Sequence, residues 1–423
     1  MKKQLLILTY LLSLSMLSQQ SETYLNSSEF IITPEIMVGV TADSNSNFPE
    51  HGLQKQLMVN FGWEHDNNLN EWAQRLKGPR TGIGIGYEDF GNLDSLGIGI
   101  TLMPFFEFNT FRRKNLKVQI GMGTTYFNKQ YDPILNPDNQ AVTTDLTWAF
   151  RVFMHYQVLS SKKIDWRLGA GFFHHSNGHT RLLNQGYNSF LVSLSADIKN
   201  LKRDSNTTPS PSKFFERNSY SYVMFRSGYG INVLGQAEPF NDKKGIYTLS
   251  GEYGKVLNNT FKLGIGLYYR FYQHYYDYIA NNESLVQDGR EYESFKDNPG
   301  WNASNVGISL NGEILLNHIG LDVQLGFNIH KPSYEIEWKM NQGWMNTPRE
   351  IPENWMLGEL DSKYKLKRLI SGRLGLKYYL IGTQKSPANN LYFGVYLNSN
   401  LGQADFSEIS LGYVHSFNFK KSS

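Results

Sequence analysis

Cysteine is absent from this 423-residue chain. Its absence excludes disulfides, thiol catalysis, Cys-based zinc sites and a lipid-modified N-terminal cysteine. An excess of charge of one sign is also lacking. Lys and Arg total 41 against 38 Asp and Glu, a formal net charge of +3, so nothing points to nucleic acid as a partner. Beyond residue 20 no apolar run approaches the ~18 residues that a membrane helix needs. Aromatics and glycine are plentiful: 26 Tyr, 26 Phe, 8 Trp and 38 Gly. Such a composition, with modest hydropathy, is common in membrane β-barrels.

The N-terminus, Met1-Lys2-Lys3 followed by the mostly apolar Leu5 to Leu17, reads as a secretory signal peptide over residues 1–20. Its apolar core is too short to span a bilayer. The small residues near its end are Ser13, Ser15 and Ser18, so cleavage falls near Ser18 to Gln20.

Alternation with a period of two dominates the rest. Leu96, Ile98, Ile100, Leu102, Phe106 and Phe108 share one parity, and Gly97, Gly99, Thr101 and Glu107 take the other. Leu321, Val323, Leu325, Phe327 and Ile329 oppose Asp322, Gln324, Gly326, Asn328 and His330 in the same way. A soluble sandwich alternates too. Long runs, small or charged opposite faces and aromatic ends favour a membrane barrel. Strand-like segments fall near 34–43, 53–65, 80–90, 95–108, 115–129, 143–159, 163–176 and 188–199. A second set falls near 217–233, 244–257, 260–275, 303–316, 318–331, 364–381, 389–401 and 405–419.

These segments imply an all-β fold, a transmembrane antiparallel barrel of about 14–16 strands in one closed wall, in the bacterial outer membrane. The alternative is an eight-stranded barrel followed by a second barrel unit. Residues 30–200 would form the first half. Polar, proline-containing 201–212 would be a linker, and 213–419 would close the wall. The stretch Pro332 to Asp361, with Trp338, Trp344 and Trp355, has no clean period and reads as a loop or plug.

One stretch stands apart. Ile164, Trp166, Leu168, Ala170 and Phe172 form an apolar face whose parity runs on into His174 and Ser176. In the next segment Phe190, Val192, Leu194, Ala196 and Ile198 form the apolar face, and Asn188 enters it. Residues i and i+2 of a strand share a face, roughly 6–7 Å apart at Cα. A Ser hydroxyl can then meet an imidazole, the pairing that activates a serine nucleophile. If the turn is symmetric, Asn188 lies opposite Ser176, where its amide oxygen can hold the other ring nitrogen. Asn plays that part in Cys-His-Asn constellations. The backbone amides of Asn177 and Gly178, or the Asn177 side chain, could face a developing oxyanion. A polar loop rim would carry the same residues without chemistry. His175 points away from His174 and no nearby acid completes a ligand set, so no metal is expected.

The stretch His174-His175-Ser176-Asn177-Gly178, then Asn184-Gln185-Gly186-Tyr187-Asn188, resembles the His-x-Ser-Asn signature of the PagL family, the outer-membrane lipid A 3-O-deacylases. It is closer still to the longer branch called acyloxyacyl hydrolase-like. Tyr87-Glu88-Asp89-Phe90-Gly91-Asn92 and Leu401-Gly402-Gln403-Ala404-Asp405-Phe406 also fit that branch. The deacylase proper accounts only for residues near 30–200. The resemblance implies a serine ester hydrolase acting on lipid A from the outer wall of a barrel, without a cofactor. His174 would be the base and Ser176 the nucleophile. Asn177 and Gly178 would be oxyanion donors. Where the family has a glutamate this chain has Asn188, and no Asp or Glu occurs between Ser176 and Asp197. The rivals are a porin or transporter that kept the signature without the chemistry, and a structural surface barrel.

Overall fold

The computed structural model describes residues 28–110, 115–199, 215–234, 242–341 and 361–421. The expected signal peptide over 1–20 and linker over 201–212 lie outside the described residues. Sixteen antiparallel strands form among those described, in two closed barrels of eight. The first comprises β1 (Glu29–Ala42), β2 (Gln54–Glu64), β3 (Arg80–Asp89), β4 (Ile98–Asn109), β5 (Leu116–Phe127), β6 (Leu146–Ser160), β7 (Ile164–Ser176) and β8 (Tyr187–Lys199). The second comprises β9 (Asn218–Val233), β10 (Lys243–Leu257), β11 (Phe261–Tyr272), β12 (Ser304–Leu316), β13 (Ile319–His330), β14 (Ile370–Tyr379), β15 (Asn389–Asn400) and β16 (Gln403–Lys421).

The single wall expected from the sequence is therefore corrected: the eight-stranded barrel plus a second barrel is what forms. The reason lies in the closing pairs. β8 returns to β1, with Ile36 opposite Leu194 and Val38 opposite Val192. β16 returns to β9, with Tyr413 opposite Phe225. Alternation specifies strands and faces but not which strand each edge finds. β1 starts five residues before the expected segment and runs through Pro34. Pro34 opposes Val59 of β2, while the pairing with β8 skips Thr33 and Pro34, so no ladder bond is asked of the missing N–H. Residues 361–369, partly expected as strand, form helix before β14.

Outward residues are apolar and exposed: Ile36 is 64% accessible and Leu263 56%. Inward neighbours are charged and buried: Glu35 is 0% accessible and Lys377 1%. Apolar outside and polar inside is the pattern of a wall bathed in lipid. No helix among the described residues is long and apolar enough to cross a membrane. The closed strands instead satisfy the backbone across the bilayer.

Both lumens are filled. In the first, Arg80 forks onto Asp197 with two bonds of 2.9 Å, Arg167 meets Glu107 at 3.1 Å, and Arg151 meets Glu35 at 2.6 Å. Met37, Met58, Met103, Phe153, Phe173 and Leu191 pack as an apolar layer in the same barrel. In the second, Lys377 bridges Glu313 at 2.8 Å and Asp322 at 2.5 Å, and Arg373 meets Asp322 at 3.0 Å. An eight-stranded wall leaves a lumen just wide enough for such side chains. At the loop end of the second barrel, helices α1 (Gln273–Ala280) and α2 (Tyr334–Asn341) bring Ile279, Val286, Tyr292, Ile336 and Met340 into an apolar cap. The part of the expected plug beyond residue 341 falls largely on undescribed residues.

Two outcomes follow for the filled lumens. Arg80→Met strips the buried Asp197 and Glu107 of a partner and should lower stability by about 3–5 kcal/mol, read by denaturant unfolding in lipid vesicles. Reconstituted into planar bilayers, the protein should give no steady ion conductance; stable open-channel steps would show that the ion-pair layers part.

Candidate active site

The site is built by the β7–β8 hairpin and its ten-residue loop, residues 177–186. This loop lies at the end of the barrel that carries the long β5–β6 connection and lies opposite the short β6–β7 turn of residues 161–163. In outer-membrane barrels the long loops face the exterior. His174, Ser176 and Asn188 therefore sit at the outer rim of the wall.

Parity places them on the outside. Along β7, Asp165, Arg167, Phe173 and His175 are buried inward, while Trp166 and Leu168 face out. His174 and Ser176 continue that outward row, as Asn188 does beside Phe190 on β8. His175 is turned inward between Phe127 and Phe173, with Nε2 3.1 Å from Glu88 Oε2.

The register differs from the symmetric-turn expectation. Asn188 opposes His174, not Ser176, and the ladder ends one pair later at His175–Tyr187. Ser176, the last residue of β7, lies beyond the β7–β8 ladder and is paired with Trp148 of β6 alone. The shift brings Asn188 Oδ1 to 2.8 Å from His174 Nδ1. An amide oxygen can only accept, so Nδ1 carries the proton and a neutral ring leaves Nε2 free to take one. The ring is held between Phe172 and Phe150, each with its centroid 6.4 Å away. Gly186 has φ +76°, and a side-chain carbon there would lie 3.0 Å from His174 Cε1. The turn thus needs glycine to keep that ring edge open.

Ser176 is engaged differently. Its hydroxyl oxygen accepts from Asn184 Nδ2 at 2.9 Å and from Gly178 N at 3.3 Å. No hydrogen bond joins it to His174 among the described residues. Catalytic hydrogen bonds often tighten only when substrate is bound. Asn177, expected as an oxyanion donor, has other tasks. Its Nδ2 donates to Thr143 Oγ1 and to Arg181 O, and its backbone N–H donates to Asn184 Oδ1. It ties the loop to the β5–β6 connection. Gly178 keeps its amide at the serine, with φ +67°.

Asn184 is the residue that sequence reasoning passed over. One amide clamps both Ser176 Oγ and the Asn177 N–H. The available signal was its place four residues before Asn188, in a loop whose other members are not spaced for any regular element.

The site also touches the second barrel. Trp148, opposite Ser176 on β6, donates its Nε1–H to Ser407 Oγ of β16 at 2.8 Å. Val233 N donates to His179 O at 3.2 Å. Ser176 is only 4% accessible, although it belongs to the outward row. Among the described residues no cluster of His, Asp and Glu suited to a metal occurs.

Comparison with known proteins finds one family for part of the chain. Residues 36–197 match the family model of lipid A 3-O-deacylase (PagL). No curated protein sequence matches. Among solved structures, the outer membrane enzyme PagL is 16% identical, covering 38% of this chain and 97% of its own, with a TM-score of 0.28. OprB of Pseudomonas putida is 10% identical, covering 93% and 94%, with a TM-score of 0.19. CdiB from Acinetobacter baumannii is 6% identical, covering 91% and 60%, with a TM-score of 0.16. The family match lies within the first barrel and includes the whole β7–β8 hairpin up to Asp197. The expected resemblance to PagL is thereby found, and the chain is a bacterial outer-membrane barrel protein.

Proposed function

We propose that this protein is an outer-membrane lipid A deacylase, a serine ester hydrolase that removes the 3-O-linked acyl chain. The observation that carries the reading is the 2.8 Å bond from His174 Nδ1 to Asn188 Oδ1, with Ser176 two residues along the same outward row. This pairing lies inside the segment that matches the deacylase family. Lipid A keeps its acyl chains in the bilayer, so an enzyme that cleaves them must present its nucleophile on the outer wall near the headgroup level. Polar groups on a lipid face cost least near the interface.

The chemistry follows from the atoms available. His174 Nε2 takes the Ser176 proton as Oγ adds to the ester carbonyl. The negative charge on the carbonyl oxygen is met by Asn184 Nδ2 and Gly178 N–H, two donors that lie beside Ser176 and bond its Oγ before the ester arrives. Collapse breaks the bond to the sugar oxygen, which leaves as the 3-hydroxyl with the proton from His174. Water then adds to the acyl-serine by the same route and releases the fatty acid.

Asn188 supplies orientation without charge. In a serine triad, replacing the acid by Asn costs about 10⁴ in rate because the wrong tautomer results. Here the oxygen of Asn188 faces Nδ1, so the tautomer is right and only the carboxylate's stabilisation of the imidazolium is missing. Charge-assisted hydrogen bonds are roughly twice as strong as neutral ones. The channel alternative has less support, since ion pairs and aromatic side chains fill both described lumens.

Purified protein incubated with lipid A should release 3-linked fatty acid, detected by mass spectrometry of the products. Ser176→Ala should abolish release; a variant as active as the parent refutes the reading. Asn188→Glu should raise kcat by on the order of tenfold, the worth of about 1.4 kcal/mol, with KM little changed. Unchanged kcat would show that the partner of His174 contributes position alone.

A further inference from the structure

The second barrel has no task in the mechanism above, yet it meets the first at the nucleophile. Gly178, two residues after Ser176, abuts it. A side-chain carbon at Gly178 would strike Ser407 Oγ and lie 2.9 Å from Trp148 Cδ1 and 3.0 Å from Leu397 Cδ1. Leu397 and Ser407 are a directly opposed pair on β15 and β16. Both belong to the outward rows of their strands, since Tyr396, Asn398, Phe406 and Glu408 are buried inward. They present the second barrel's lipid-facing surface to the site.

Exposure along each row tells where the two walls approach. On the first barrel, Val152, Met154 and Leu168 are open, whereas Trp148, Phe150, Phe172 and His174 are partly covered. On β15, Leu391 and Phe393 are open, whereas Val395 and Leu397 are partly covered. The covered stretches lie at the outer rim of each barrel, level with Ser176. On the first barrel this stretch is a continuous row of rings. Trp148 stacks with Phe150 at 17°, Phe150 tilts against His174, and His174 stacks with Phe172 at 14°.

We propose that the second barrel is a working part of the deacylase site. Leu397 and Ser407 form a wall facing the ring row, and the acyl chain being released lies between the two. This inference rests on the deacylase reading of Ser176. Its occupant is an alkyl chain because the ring row and Leu397 are apolar, and because the row leads directly to the nucleophile. A single barrel leaves that chain among freely moving lipid tails. Lipid tails are as apolar as leucine, so a second wall adds no hydrophobic gain. It acts by position and shape. It restricts where the ester carbonyl sits relative to Ser176 and limits the length of chain that reaches it. The bond from Trp148 Nε1 to Ser407 Oγ joins the two walls at this level. Ser407 and Leu397 are thus positioning residues that determine specificity.

The test uses the full chain in lipid vesicles with a series of lipid A molecules that differ only in the length of the 3-linked chain. Leu397→Trp puts a larger side chain on the wall, and it should lower release of long chains on the order of tenfold relative to short ones. Trp148→Phe removes the bond to Ser407 but keeps a ring, and it should broaden the length preference. If both variants release every chain in the parent's proportions, the wall is mere packing and the proposal is overturned. A heat-modifiable band on gels identifies folded protein, and Trp148→Phe and Ser407→Ala carry the test if Leu397→Trp does not fold. In the Ser176→Ala background, native mass spectrometry reads lipid A retention without catalysis. Weaker retention in Leu397→Trp supports the wall, and equal retention overturns it. A parent that retains lipid A and loses it with Leu397→Trp, yet releases no fatty acid, refutes the hydrolase reading alone.

Discussion

An eight-stranded wall encloses room for its own side chains and little more. That constraint governs both halves of this molecule. Every inward position must be filled, and inward positions alternate with outward ones along each strand. The chain fills them with opposed charges: Arg80 against Asp197, Arg167 against Glu107, Lys377 between Glu313 and Asp322. Unpaired, any of these would be costly inside a bilayer. Paired, they neutralise each other and occupy the lumen. Chemistry on a membrane-resident substrate is left with the outer surface, where the alternating pattern demands apolar residues.

The outer rim is where that demand weakens. His174, Ser176 and Asn188 stand in rows that are apolar for the rest of their length. The hairpin register then decides what they can do together. With Asn188 opposite His174, an amide oxygen orients the imidazole. With Ser176 past the last pair of the hairpin, its hydroxyl meets the loop amides of Asn184 and Gly178 instead of β8. The site is divided between a rigid ladder that holds His174 and a loop that surrounds the Ser176 hydroxyl.

Two small walls rather than one wide one also change what the outside can offer. A single sixteen-stranded cylinder would have enclosed a wide lumen and shown the site to lipid alone. Two closed barrels bring two lipid faces toward each other, and they meet where Trp148 bonds Ser407. Anything lodged at that point has protein on two sides.

Much of this was legible in the residues, and the rest was not, for identifiable reasons. A period of two is local, so alternation alone revealed the sixteen strands, their faces, and the polar residues His174 and Ser176 ending a greasy row. The absence of any acid between Ser176 and Asp197 was equally plain. The pairing of β8 with β1 and of β16 with β9 could not be read, because every edge in such a chain offers the same backbone donors and acceptors to any other. Nor could the placing of Asn188 across from His174, since a ten-residue loop sets register by its own turns and not by symmetry. The two hydrogen bonds that Asn184 makes, to Ser176 and to Asn177, could not be read either, for loop side chains have no period to follow. What the sequence determined by itself was the alphabet of strands and the inventory of reactive groups. Tertiary structure alone decided which edges met, which amide faced which nitrogen, and that a second barrel stands beside the first at Ser176.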